Sequence, residues 1–265
     1  MDVYETVFVM DSVANLLFEF TNEDRLAILE KLSKGSASLT EIYKELDLKP
    51  PETSRHLGRL VESGLVEKNT DGEYLGSTLG FISLKLLSGF RFVNKHQDYF
   101  IEHSLTQIPD NLLLRIGELE KAVFLDDVMT SIYESEKIVN ESEEYIHVFT
   151  DQIPMNVLPR LEELRGSKLE FQVVFPKTLE PPEDYVNKEA YHPVINRFRD
   201  SIPAYLAVNE KRSIIGFNFK DGRVDHRVFQ VSDESGRLWC EDLFQYIWQR
   251  TSSEIPEYFN QFTPK

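Results

Sequence analysis

From Ser38 to Glu62 apolar residues recur every three to four positions in two blocks, and beyond Gly64 the pattern changes to short alternating runs. Leu39, Ile42, Tyr43 and Leu46 share one side of the first block, and Ser38 and Glu41 have the spacing of a capping box. Asp47-Leu48-Lys49 predicts a turn. Pro50-Pro51 then opens a second helix where a missing amide hydrogen costs nothing. Thr53, Leu57, Leu60 and Val61 form its apolar stripe, Arg55 and Arg59 lie near the opposite side, and Ser54 and His56 flank them. Gly64 predicts a left-handed helix stop, Leu65-Val66 a strand, and Asp71-Gly72 a hairpin returning through Tyr74 and Leu75. Helix, turn, helix and hairpin in that order predict a winged helix-turn-helix.

Two further apolar helices are predicted around this module, Val9 to Phe20 before it and Gly80 to His96 after it, and both are candidates for dimerisation. The second carries Phe81, Ile82, Leu84, Leu86, Leu87, Phe90, Phe92 and Val93 on a stripe wide enough to cover a core and meet a second chain. Asp98 to Leu119 is predicted helical, with a new helix starting at Pro109-Asp110. Strand signals then alternate with helices: Ala122–Leu125, Tyr145–Thr150 and Leu169–Phe175 as strands, Asp126–Asn140 and Met155–Leu164 as helices. That rhythm predicts a parallel α/β core with a right-handed crossover. Pro176 to Glu189 is predicted as a loop and Tyr191 to Arg199 as a helix. Ala204–Val208, Ser213–Phe219 and Arg227–Val231 are predicted strands, and Leu238–Trp248 a helix extending toward Gln261. The division expected is 1–78 for the winged helix, 79–119 for a helical linker and dimerisation region, and 120–265 for the α/β domain.

Composition fits two soluble globular domains: 265 residues, 41% hydrophobic and 12% aromatic. Lys85 and Arg91 interrupt the best candidate for a membrane span, and the N-terminus has no basic lead-in for a secretory signal. A single cysteine, Cys240, excludes an internal disulfide framework and predicts a packed thiol in a reducing, cytoplasmic setting. The formal net charge of −16 opposes binding to nucleic acid. Its distribution changes that picture. Residues 1–96 hold 11 Lys and Arg against 15 Asp and Glu, and the remainder holds 18 against 30. Lys44, Lys49, Arg55, Arg59 and Lys68 gather around the second helix and the hairpin, where the local field governs contact at close range.

A helix entering the major groove reads base edges mostly with its N-terminal part. Thr53, Ser54 and Arg55 occupy that part, with Arg55 the candidate for a bidentate contact to guanine. Lys49 and Arg59 are placed for phosphate, and Lys68, Asn69 and Thr70 for the wing tip. His56 has two open readings, a DNA contact or a packed histidine. Glu52 and Glu62 have helical spacing to pair with Arg55 or Arg59.

The run T-S-R-H-L-G-R-L-V-E-S-G-L-V resembles the recognition helix and wing of ArsR-type winged-helix repressors, over about Asn22 to Thr78. The resemblance implies dimers that bind palindromic operator DNA and leave it when a regulatory signal changes. F-Q-V-V-F-P, I-I-G-F-N-F and R-L-W-C-E-D-L-F-Q-Y-I-W in the second half are similar in layout to archaeal regulators with the C-terminal sensor domain of methanogenesis regulators. This implies an α/β effector domain of the same broad kind as the phospholipase-D-like sensors of archaeal sugar regulators.

Catalysis is not expected. No histidine is followed two residues later by lysine, as phospholipase-D chemistry requires, and no G-x-S-x-G, P-loop or G-x-G-x-x-G occurs. One cysteine and six scattered histidines do not support a thiolate metal site, and no cofactor is expected. A small-molecule effector is the remaining route to regulation. Tyr205 and Phe217, with Arg223 and Arg227, are the candidate lining of a pocket for a small polar or anionic ligand. The competing reading is a non-catalytic protein–protein adaptor built from the winged helix and an acidic C-terminal domain.

Overall fold

The computed structural model describes residues 12–153, 155–163, 168–180 and 194–252. The chain divides into two compact units, Met1–Ser88 and Gly89–Lys265.

In the first unit α1 (Val13–Glu19), α2 (Glu23–Leu32), α3 (Leu39–Glu45) and α4 (Pro50–Glu62) precede an antiparallel hairpin of β1 (Val66–Lys68) and β2 (Tyr74–Gly76). Residues 9–11 of the first expected helix lie outside the described residues. Local chemistry sets each boundary. The Ser38–Glu41 capping box is closed in both directions, Asp47 takes a positive φ of 52° between α3 and α4, and Gly64 takes 72° after α4. Ile28, Leu29, Leu32, Ile42, Leu57, Leu60, Leu65 and Val66 form one core. The buried side of α4 is Thr53, His56, Leu57 and Leu60; Val61, expected on that stripe, is exposed. The chain then enters α5 (Thr78–Lys95), which gives Leu84 to this core and Phe92 to that of the second unit. Gly80 packs so closely that a Cβ would run into the carbonyl oxygen of Leu65.

The second unit adds α6 (Gln97–Glu102), α7 (Asp110–Leu113), a 3-10 turn at Ile116–Leu119, and a seven-stranded sheet. Its strands are β3 (Val123–Leu125), β4 (Tyr145–Phe149), β5 (Glu170–Pro176), β6 (Val194–Arg199), β7 (Ala204–Val208), β8 (Ser213–Phe217) and β9 (Val228–Val231), in the order β3-β9-β8-β7-β4-β5-β6. α8 (Val128–Glu141) and α9 (Leu158–Glu163) lie between strands, and α10 (Glu234–Trp248) follows them. Trp239, Leu243, Phe244 and Ile247 of α10 pack on Phe149, Val174, Leu206 and Phe217. On the other face, Ile138 of α8 joins Ala207, Ile214 and Val228, and Val139 joins Ile146 and Val173.

The sheet is mixed, which corrects the expectation of a parallel core. Only β4, β5 and β6 run parallel; the β4–β7, β7–β8, β8–β9 and β9–β3 pairings are antiparallel. The short turn at Asn209–Arg212 can join only antiparallel neighbours, whereas the helical crossover between β4 and β5 permits a parallel pair. The helix expected at Tyr191–Arg199 is strand β6 from Val194; residues 191–193, like Gly166 and most of the Pro176–Glu189 loop, lie outside the described residues. Phe171↔Val194 through Pro176↔Arg199 pair in register, so tertiary pairing overrides the local helical signal. α10 ends at Trp248, and Ser252 bridges to Phe198 instead of prolonging the helix. Cys240 is buried on α10, where desolvation pushes its thiol up to about 12.

Leu57→Ala is expected to destabilise the first unit by about 2–5 kcal/mol through transfer and cavity terms. Gly80→Ala should also destabilise it, because the Leu65 backbone cannot move aside as a flexible side chain would. Urea denaturation of the full chain checks both, and a wild-type midpoint for either contradicts the packing described.

Candidate nucleic-acid interface

α4 places its side chains by roll. At about 100° per residue, burial of Thr53, His56 and Leu60 turns Pro51, Ser54, Arg55, Gly58 and Glu62 outward. Ser54 and Arg55 are exposed in the first half of the helix, and Lys49 is exposed at its N-cap. Among the described residues, none of these three side chains has a hydrogen-bond or ion-pair partner within the chain. Free donors on a protruding helix are what phosphate and base-edge contacts require.

Burial corrects one expected base-reading position, Thr53, and favours the packed reading of His56. Thr53 is fully buried, and its hydroxyl donates to the Lys49 carbonyl one turn back at 3.0 Å, so its side chain cannot reach a partner. His56 packs in the core at 7% exposure, with Nε2 3.6 Å from Asp24 Oδ2. Desolvation holds its imidazole below the ordinary histidine range, against the pull of the Asp24 carboxylate.

Arg59 is committed to a carboxylate from α1. Its Nε donates to both oxygens of Glu19 at 3.0 and 2.8 Å, its Nη2 donates at 2.9 Å, and the guanidinium lies 4.9 Å from the centre of the Phe18 ring. Glu19 also faces Arg25 at 3.3 Å, and Arg25 donates onward to the Glu19 and Phe18 carbonyls. Pairing with Glu52 or Glu62 is therefore not what the structure gives Arg59, and no ion pair joins either glutamate to Arg55. Glu19 could not be found from spacing, since it lies 40 residues before Arg59.

In the wing, Asn69 Oδ1 accepts the amide hydrogens of Asp71 at 3.0 Å and Glu73 at 2.9 Å, and Gly72 completes the turn at φ 85°. Asn69 thus shapes the tip, Thr70 is exposed on it, and the Lys68 ammonium lies 5.3 Å from the Tyr74 ring centre. Ser77 Oγ donates to the Gly64 carbonyl at 2.6 Å and ties the hairpin to the end of α4.

The proposed effector residues do not converge. Ala204, not Tyr205, is the register partner of Phe217, so side-chain alternation sends Tyr205 and Phe217 to opposite faces of the sheet. Phe217 is core on the α10 face; Tyr205 lies on the α8 face, its hydroxyl 2.6 Å from Ser135 Oγ. Arg223 pairs with Asp221 at 2.8 Å, and Arg227 pairs with Asp225 at 2.8 Å and Asp126 at 3.2 Å. Asp225 also meets the buried His103 at 2.8 Å. Elsewhere in this unit a cleft of about 260 Å³ is lined by Glu210, Lys211, Ser232, Asp233, Glu234 and Arg237. Among the described residues no group of three or more His, Cys, Asp or Glu side chains is placed to hold a metal ion, and no helix is long and apolar enough to cross a membrane.

Residues 22–68 match the sequence model of the bacterial regulatory proteins of the arsR family. No curated protein matches the chain. Among solved structures, the chain is similar to TrmBL2, an archaeal chromatin protein whose structure is described as showing a novel mode of DNA binding. That likeness covers 93% of this chain and 100% of the other, at 14% identity and a TM-score of 0.39.

The burial of His56 carries a pH signature. The folded state disfavours the imidazolium, so stability is undiminished above the ordinary value near 6.5 and falls as pH drops from there through the lower folded value. An NMR titration of the His56 ring in the full chain is expected to give a midpoint below that of free histidine, and His56→Gln should reduce the loss of stability between neutral and mildly acidic pH. A midpoint above the free value would contradict the packed assignment.

Proposed function

We propose, from the premise that residues 22–68 form an arsR-type helix-turn-helix, that this protein is a non-catalytic, DNA-binding transcriptional regulator acting as a homodimer on double-stranded DNA. The observation that carries this reading is the outward face of α4, where Ser54 and Arg55 stand exposed next to Lys49, with no partner among the described residues. Arg55 is assigned to a base edge and Lys49 to phosphate. The excess acid, concentrated beyond residue 96, weakens indiscriminate attraction to polyanions, so retention depends on two modules engaging together.

α5 supports the dimer. Leu79, Ile82, Leu86, Phe90 and Val93 recur at three- and four-residue steps and are exposed, Leu86 at 73% and Phe90 at 71%. Such a seam gains by burial against its twin, and a twofold dimer matches a palindromic site. Because α5 contributes to both cores, a ligand that favours one arrangement of the second unit has a covalent route to the spacing of two α4 helices. With the Tyr205–Phe217 pocket set aside, the cleft beside Lys211 and Arg237 is the better place for such an effector. A sensor role for this unit, with a phospholipase-D-like relationship, belongs to the proposal on the same terms.

Selection from random duplexes with the purified protein should enrich one palindrome. On that duplex Arg55→Ala is expected to cost about 1–3 kcal/mol and relax discrimination at one base pair, whereas Lys49→Ala should weaken all sequences alike and lower the salt slope by about one. Wild-type binding by both variants would refute the assignment of α4. Separately, Leu86→Glu combined with Phe90→Glu should leave the protein monomeric in sedimentation equilibrium; an unchanged mass would place the dimer seam elsewhere.

A further inference from the structure

Gly58 stands at the centre of the outward face of α4, opposite the buried Thr53, His56 and Leu60. Ser54 lies one turn before it and Glu62 one turn after it. Glycine is the least favourable residue after proline in a helix interior, so its presence there calls for a reason. Among the described residues nothing supplies one. A Cβ built on Gly58 meets no atom within 4 Å, and its φ lies outside the positive region. Gly236 shows the contrast: a Cβ there would fall 2.5 Å from Val231 Cγ1 and 3.0 Å from the Glu118 carbonyl oxygen. The space kept clear by Gly58 lies on the exposed side of α4.

The neighbouring side chains say what that clearance serves. Ser54 carries a short side chain with no hydrogen bond among the described residues, and it can touch a partner only if the helix backbone comes close. A long side chain at position 58 would hold the partner away from Ser54 and shorten the reach of Arg55. Glycine is the residue that allows backbone to approach a ligand closely. Resting on the reading of α4 as the groove-reading helix, we propose that Gly58 is a positioning residue for duplex DNA. It lets the helix seat deeply enough in the major groove for Ser54 and Arg55 to reach base edges.

The test uses full-length wild type, Gly58→Ala, Gly58→Gln and Arg55→Ala, with the duplex enriched from a random 30-base-pair pool as probe. Glutamine is a good helix former and uncharged, so neither misfolding nor repulsion explains a loss. Both Gly58 variants should melt no lower than wild type, and Gly58→Ala should raise the first transition by about 2–8 °C. In fluorescence anisotropy Gly58→Gln should weaken binding about tenfold or more, the loss of one well-fitted contact region, and Gly58→Ala should fall between it and wild type. Wild-type affinity for Gly58→Gln, with Arg55→Ala still impaired, would overturn this proposal and leave the α4 reading intact. Failure of the wild type to enrich any duplex would overturn both. Weaker self-association with unchanged DNA binding would assign Gly58 to a second copy of the chain and overturn the proposal.

Discussion

The shared core of Leu57 and Leu60 with Ile28, Leu32 and Ile42 fixes the roll of α4 about its own axis. Every property of the candidate interface follows from that roll. With Thr53 and His56 turned inward, the outward positions are Ser54, Arg55 and Gly58, and no rotation about the axis could expose the first pair without burying the second. The Ser77–Gly64 hydrogen bond and the tight Gly80–Leu65 approach hold the wing and the start of α5 against the same core. Recognition chemistry here is a by-product of hydrophobic packing on the opposite side of one helix.

Charge is arranged with similar economy. Glu19 is buried with Arg25 and Arg59 around it, so one carboxylate neutralises part of the cationic side of α4 and attaches α1 to it. Such a pair contributes orientation more dependably than net stability, because desolvation offsets much of the attraction. Among the described residues it leaves Arg55 and the N-cap Lys49 without a partner, which concentrates the positive field toward the N-terminal end of the helix, where its dipole adds to it.

Elements specified by local chemistry were legible in the sequence. Ser38 and Glu41, Pro50-Pro51, Gly64 and Asp71-Gly72 each act within a few residues, and the helices and hairpin they delimit are present. What failed depended on residues distant in the chain. Val194–Arg199 became a strand because β5 offered it a ladder, and Arg59 found Glu19 on another helix. Two corrections follow from periodicity, one of a helix and one of a strand pair. Thr53 was already on the apolar stripe that argued for the helix, and Tyr205 and Phe217 occupy opposite faces by simple alternation once β7 and β8 pair. Gly58 was visible too, as the residue at the centre of the polar face, but an absent side chain draws no attention until its surroundings are known to be empty.

The central claim, that the outward face of α4 lies in a duplex groove, is tested most directly by cleavage from a tethered reagent. Cys240 is buried and its thiol is pushed up to about 12, so a cysteine introduced as Glu62→Cys, at the far end of the outward face, can carry iron–EDTA alone. The account predicts scission confined to a few nucleotides in each half of a bound palindromic duplex. Uniform cleavage along the duplex, or no cleavage by a protein that still binds it, would contradict it.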